Sequence, residues 1–117
     1  MSMHGAPTSA ELIESVREWI ERDVMTSTEG RLKFHSRVAI NVLAMVEREL
    51  AMGEQHEADH TERLASIGMM NDAEFAQAIR AGDLDHRLGE VRAVLRADVD
   101  AKLAVANPKY LDGPRPR

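Results

Sequence analysis

The chain has 117 residues, no cysteine, 3% aromatic residues and a formal net charge of −5. This length indicates one domain, and the scarcity of aromatic side chains indicates an aliphatic core with methionine as filler. The absence of cysteine excludes a disulfide framework, a thiolate zinc site and a cysteine nucleophile, and the acidic charge balance argues against nucleic acid and anionic membranes as partners.

The N-terminal residues 1–7 are predicted to be flexible, with the native start at either Met1 or Met3. Thr8 and Glu11 then have the spacing of a capping box, with Ser9 as the alternative cap, and a helix is predicted from about Ser9 to Met25. Its apolar side chains recur at helical spacing and predict one apolar face, formed by Leu12, Val16, Trp19, Ile20 and Val24 with Ile13 beside them. Residues 26–30 interrupt this pattern.

The next segment carries apolar side chains around about half of its circumference. We predict a central helix near 31–52, ended by Gly53 and in contact with neighbours on several sides. Its predicted core residues are Leu32, Phe34, Val38, Ala39, Val42, Leu43, Met45, Val46, Leu50 and Met52.

Three further helices are predicted beyond Gly53. A polar outer helix over 54–67 turns only Leu64 and Ile67 inward and ends at Gly68. Asn71 and Glu74 cap a short helix that ends at Gly82. The inward residues of this short helix are predicted to be Phe75 and Ile79. The last helix is predicted over about 88–106, with an apolar, inward-facing series at helical spacing: Leu84, Leu88, Val91, Leu95, Val99, Leu103 and Ala106.

No segment alternates apolar and polar residues, so the sequence predicts an all-α fold without a sheet. The prediction is a single-domain antiparallel bundle of about four to five helices over residues 8–111, followed by a disordered tail over 112–117. No apolar run reaches membrane-spanning length, and the N-terminus lacks a basic region followed by an apolar stretch, so we expect a cytoplasmic protein that does not bind membranes.

Three polar residues of the central helix form a candidate ligand site. Arg37 could hold a carboxylate or phosphate, Asn41 could orient it, and His35 could exchange a proton near neutral pH. The structural alternative is a packed histidine bonded to a backbone carbonyl, with Arg37 and Asn41 tying neighbouring segments together. We favour the structural alternative.

The segment His56-Glu57-Ala58-Asp59-His60 matches the H-E-x-x-H pattern of zinc hydrolases. A third ligand, an edge strand and a shielded cleft are also needed, and the sequence indicates none of them. We therefore predict a solvated helical face and no metal site, with adventitious binding of a divalent ion by His56 and His60 as the alternative and metal-dependent hydrolysis as a third.

Charged residues also fall within the apolar arcs of two helices. Glu49 does so on the central helix, and Arg92 and Lys102 do so on the last helix. Because a charge that faces a core needs a partner or a route to water, we predict that Glu49 pairs with Arg92 or Lys102. The alternative is that each alkyl stem packs while the charged head reaches solvent.

Three stretches together resemble a bacterial helical family of uncharacterised function: MHGAPTSAELIESVREWI, GRLKFHSRVAINVLAMVEREL and KLAVANPKYL. The most distinctive part is F-H-x-R-V-A-x-N, which begins at Phe34. Members of that family are encoded beside, or fused to, phosphotransferases that resemble aminoglycoside kinases, and often near acyl-CoA dehydrogenases. The resemblance implies an accessory protein of such a pathway, with one of these proteins as a partner.

We therefore expect a small interaction protein without a cofactor, partnered by a kinase-like phosphotransferase, an acyl-CoA dehydrogenase or a second copy of itself. The alternative function is a ligand-binding protein or enzyme that acts on an acyl or phosphorylated metabolite through His35, Arg37 and Asn41. The sequence favours the first and contains no complete catalytic constellation.

Overall fold

A computed structural model describes residues 5–112 of the chain, and over this range it contains four α-helices and no strand. The predicted all-α fold is confirmed. The helices are α1 (Ser9–Trp19), α2 (Gly30–Ser66), α3 (Asp72–Ala81) and α4 (Leu88–Ala106). Most of the segments predicted to be flexible or disordered, 1–7 and 112–117, lie outside the described residues.

The start of α1 confirms the predicted capping box. The Thr8 hydroxyl accepts a hydrogen bond from the Glu11 backbone N–H at 3.1 Å, and the Glu11 carboxylate accepts one from the Thr8 N–H at 3.0 Å. The helix ends earlier than predicted, and a π-helical turn (Ile20–Val24) and a 3-10 turn (Met25–Ser27) follow it. Side-chain hydroxyls compete here for the backbone, as when Thr28 donates to the Val24 carbonyl at 2.7 Å.

The helix α2 corrects the predicted end of the central helix. The chain does not stop at Gly53 but continues in helical conformation to Ser66, so the polar helix predicted over 54–67 is the second part of α2. A glycine inside a helix costs only about 1 kcal/mol relative to alanine, which the good helix formers around it can offset. The chain turns instead at Gly68, whose φ of 77° favours glycine.

The chain divides into two compact units, which we call unit 1 (Met1–Met52) and unit 2 (Gly53–Arg117). Helix α2 contributes its first part to unit 1 and its second part to unit 2. Both units can therefore be understood as separate helical assemblies, each with its own contacts.

Unit 2 contains a hydrophobic core. Asn71 caps α3 by accepting a hydrogen bond from the Glu74 N–H at 2.8 Å, and Gly82 ends it with a φ of 80°, both as predicted. These turns bring the end of α2, α3 and α4 together. The buried apolar residues are Leu64, Ile67, Phe75, Ala78, Leu84, Val91 and Val94. Five side chains predicted to face inward are exposed instead: Ile79, Leu88, Leu95, Val99 and Ala106.

Unit 1 has a different interior. The Arg17 guanidinium of α1 donates two hydrogen bonds to the Glu47 carboxylate of α2, and a third, at 2.9 Å, to Glu21. Among the described residues of this unit only Ser36 is buried, with its hydroxyl donating to the Leu32 carbonyl at 2.8 Å. The predicted core of the central helix is wrong for Leu32, Phe34, Val38, Val42, Met45 and Leu50, which are all exposed. Two helices cover only the sides on which they face each other.

Candidate functional site

The three residues of the predicted ligand site lie on the exposed surface of α2. Arg37 and Asn41 share one side of the helix because they are four residues apart, whereas His35 is two residues from Arg37 and lies on a different side. The His35 Nε2 atom accepts a hydrogen bond from the Arg31 Nε at 3.4 Å, and its ring meets the Phe34 ring edge-on with 5.6 Å between centroids. Binding of a ligand by these residues stays a prediction.

The predicted pairing of Glu49 involves residues of both units. Glu49 lies in unit 1, whereas Arg92 and Lys102 lie in unit 2, and all three are exposed. The pairing therefore stays a prediction, and exposure of the charged groups is also what the alternative of packed stems and solvated heads requires.

The two histidines of the H-E-x-x-H segment lie on α2 but have different surroundings. His56 is partly buried, and Gln55 donates to the Asp59 carboxylate at 2.8 Å on the same stretch of helix. His60 instead contacts two other helices. Within residues 5–112, no group of three or more histidine, aspartate and glutamate side chains has the arrangement of a metal site.

His60 is held by carboxylates at both ring nitrogens. Its Nδ1 atom lies 2.8 Å from an Asp98 oxygen on α4, and its Nε2 atom lies 2.8 Å from an Asp72 oxygen in the first turn of α3. Arg63, one turn after His60 on α2, donates to the same Asp98 oxygen at 2.6 Å. We call these four residues the His60 cluster: His60, Arg63, Asp72 and Asp98.

The electrostatics of the cluster favour the charged forms of His60 and Asp98. The hydrogen bond with Asp98 raises the pKa of His60, burial opposes this shift, and Asp72 adds to it. Burial alone would raise the pKa of Asp98, but hydrogen bonds from Arg63 and His60 hold it below its ordinary value. Since carboxylates only accept hydrogen bonds, an imidazolium that donates from both nitrogens satisfies this geometry.

This arrangement favours structure over catalysis. A carboxylate that orients a histidine is one half of a catalytic dyad, but a general base needs a free nitrogen directed at substrate. Here Asp72 occupies the second nitrogen. Asp98 and Arg63 are largely shielded from solvent and Asp72 is exposed, so the cluster ties α2, α3 and α4 together near the surface of unit 2.

The sequence alone does not bring this cluster together, because Asp72 and Asp98 lie 12 and 38 residues from His60. One signal was available. Asp98 continues the i, i+3, i+7 series of Val91 and Val94, the two buried side chains of α4. An acidic residue in such a series requires a partner, and His60 and Arg63 provide one.

Unit 1 presents exposed apolar side chains on both of its helices. At 100° per residue, Leu12, Val16 and Trp19 share one side of α1; we call this set the α1 stripe. A second set, which we call the α2 stripe, shares one side of α2 and consists of Phe34, Val38, Val42 and Met45. Both stripes are exposed. A shallow, open groove lies between α1 and α2 on another side, lined by Arg17, Glu21, Ile40, Ala44, Glu47, Arg48, Ala51 and Met52.

No helix of the described chain combines the length and the apolar character that crossing a membrane requires. The model of a family described as a domain of unknown function, DUF6285, matches residues 26–110. No curated protein and no solved structure gives a significant match to the chain.

Proposed function

Because this chain belongs to the DUF6285 family, a domain of unknown function, we propose its role from its own geometry: it is an interaction protein and not an enzyme. The observation that supports this proposal is the exposure of the large apolar side chains of unit 1. Nine of them are exposed across α1 and α2, more than scattered single residues on a monomer would explain.

The α2 stripe is the part of this surface that we assign to a protein partner. It presents an aromatic ring, two valines and a methionine along nearly three turns of helix, which is the pattern of a helix that docks against an apolar groove. Arg37 and Asn41 flank the stripe and supply polar groups at its border.

As the partner we propose a kinase-like phosphotransferase or an acyl-CoA dehydrogenase. This choice is supported by the resemblance of three stretches of the chain to a family encoded beside such phosphotransferases and near such dehydrogenases. The most distinctive pattern of that resemblance, F-H-x-R-V-A-x-N, overlaps the α2 stripe at Phe34 and Val38. The phosphotransferase is the partner to test first.

The test compares two variants in co-expression with a kinase-like phosphotransferase encoded in the same genome, followed by the same experiment with an acyl-CoA dehydrogenase. Val38→Glu places a charge in the α2 stripe, and Val99→Glu places the same charge at an exposed valine of unit 2. We expect the wild type and Val99→Glu to co-purify with the partner and Val38→Glu to lose it. Equal retention by both variants would contradict the assignment of the α2 stripe.

A ligand site remains the second candidate, and the neighbouring positions of Arg37 and Asn41 on one side of α2 favour it. If it is correct, titration with an acyl-CoA or a phosphorylated metabolite gives saturable heat that Arg37→Ala abolishes. The absence of heat with the wild-type chain would remove this candidate.

A further inference from the structure

We propose that the face formed by α1 and the adjoining side of α2 binds a second copy of this chain. The inference rests on the proposed function, because it names one occupant for the apolar surface of unit 1. It concerns a different side of α2 from the α2 stripe. We call it the hairpin face: exposed Leu12, Val16, Trp19, Leu32 and Leu50, with partly buried Ile13, Ile20, Leu43 and Val46 between them.

The contact between Arg17 and Glu47 fixes which side of α1 meets which side of α2. Going round each helix at 100° per residue, Glu21 and Ala44 lie on one side of that contact, where they line the open groove. Val16 and Val46 lie on the other side. The hairpin face is therefore opposite to the groove, and all of the residues that define it are uncharged.

The area of the hairpin face is close to what a dimer requires. Taking ~200 Å² as the full accessible area of a large apolar residue, the five exposed side chains contribute ~500 Å². The partly buried side chains raise this to ~700 Å². A standard specific interface takes about 800 Å² from each partner. A hairpin of two helices that packs this face on its own copy makes a four-helix core, in which each helix is covered on a second side.

The position of the charges supports a second copy as the occupant. Arg17, Glu21, Glu47 and Arg48 line the groove on the opposite side, so two hairpin faces meet without bringing these charges together. In a two-fold arrangement the same apolar face lies on both sides of the interface, and each copy covers the face of the other.

The test is the mass of the full chain in solution, measured by sedimentation equilibrium and by light scattering over a wide range of concentration. We expect the wild type to have twice the mass of the 13.0 kDa chain. Leu50→Glu, in the hairpin face, should raise the dissociation constant of the dimer at least ~30-fold, which is the effect of a charge buried at an interface hot spot.

Leu88→Glu is the matched control. It changes the same residue type at the same exposure, 48% for both leucines, outside the hairpin face. The control should dimerise as the wild type does, and circular dichroism should show the same helicity for both variants. A wild type that stays at 13.0 kDa, or equal weakening by both variants, would overturn the proposal. A monomer that Leu50→Glu unfolds would also overturn it, since the face would then be covered by the chain itself.

Salt tests whether the interface is the uncharged hairpin face. Higher ionic strength should leave the wild-type dimer unchanged or tighter, whereas weakening of the dimer by salt would show that charges hold it together and would overturn the hairpin face as the interface. The proposed function is tested separately by Val38→Glu and the phosphotransferase. A monomeric wild type that still loses this partner through Val38→Glu refutes the dimer and leaves the proposed function in place.

Discussion

Units 1 and 2 are built from the same element, an amphipathic helix, but they differ in how far its apolar side is buried. All seven buried apolar residues of the described chain lie in unit 2, and nine of its fifteen exposed large apolar side chains lie in unit 1. Unit 2 reverses direction at Gly68 and Gly82, so three helical segments surround one interior. Unit 1 has two helical segments. The comparison shows that an apolar helix side needs a cover, and that unit 1 alone does not supply one.

The sharpest way to break this comparison is to truncate one leucine in each unit. Leu64 is 2% exposed and Leu32 is 66% exposed. Leu64→Ala should reduce the free energy of unfolding by 2–5 kcal/mol, the range for a buried leucine, whereas Leu32→Ala should cost less than about 1 kcal/mol. Urea denaturation at low protein concentration measures both. Similar costs would mean that Leu32 is covered in solution, and the contrast between the units would disappear.

Each unit also has an ion pair that joins two of its helices. Asp98 accepts from both Arg63 and His60, whereas Glu47 accepts from Arg17. Asp98→Ala removes the acceptor that Arg63 and His60 share, although His60 keeps Asp72, and should cost about 1–3 kcal/mol, reduced from the fully buried case by partial exposure. Glu47→Ala should cost about 1 kcal/mol or less. Thermal unfolding of both variants ranks them, and a larger cost for Glu47→Ala would contradict the greater importance of the His60 cluster.

The caps provide a comparison of nearly equal effects. Thr8→Ala and Asn71→Ala each remove a side-chain acceptor for the first turn of a helix, which typically costs about 1 kcal/mol. The difference should appear in hydrogen exchange. Loss of the Thr8 cap should speed exchange only in the first turn of α1, whereas loss of the Asn71 cap should also loosen Asp72 and hence its contact with His60. Confinement of both effects to the first turn would show that the cluster does not depend on the cap.

Much of the local structure could be predicted from the sequence. The caps at Thr8 and Asn71 and the turn at Gly82 are confirmed because they depend on residues within three or four positions. Gly53 shows the limit of such rules: glycine permits a helix end without requiring one, and the buried side chains of Leu64 and Ile67 stabilise the continuation of α2.

The spacing of apolar residues along a helix does not determine where the core lies. Phe34 and Leu64 both sit on apolar sides of α2, and periodicity assigns each residue to a side without saying what covers it. The candidate sites show the same limit. Spacing drew attention to His35 and to the pair His56 and His60, whereas the carboxylate partners of His60 lie on α3 and α4, whose approach only the tertiary fold determines.

The smallest expected effect is a pH dependence confined to unit 2. The pKa of His60 is raised above 6.5, so the stabilisation that its charge provides is fully present below pH 6.5 and is lost as the pH rises through the folded-state value. The pKa of Asp98 is lowered from 3.8, so its contribution is present above pH 3.8 and is lost as the pH falls through the folded-state value. These two groups together stabilise folded unit 2 most between pH 3.8 and 6.5.

The decline in the free energy of unfolding from pH 5.5 to 8.5 should be on the order of 1 kcal/mol or less, given the partial exposure of the cluster. His60→Gln should flatten this decline and His56→Gln should leave it, as followed by urea denaturation at each pH. If the free energy of unfolding of His60→Gln declines as that of the wild type does, another group causes the pH dependence and the charged His60 does not stabilise unit 2.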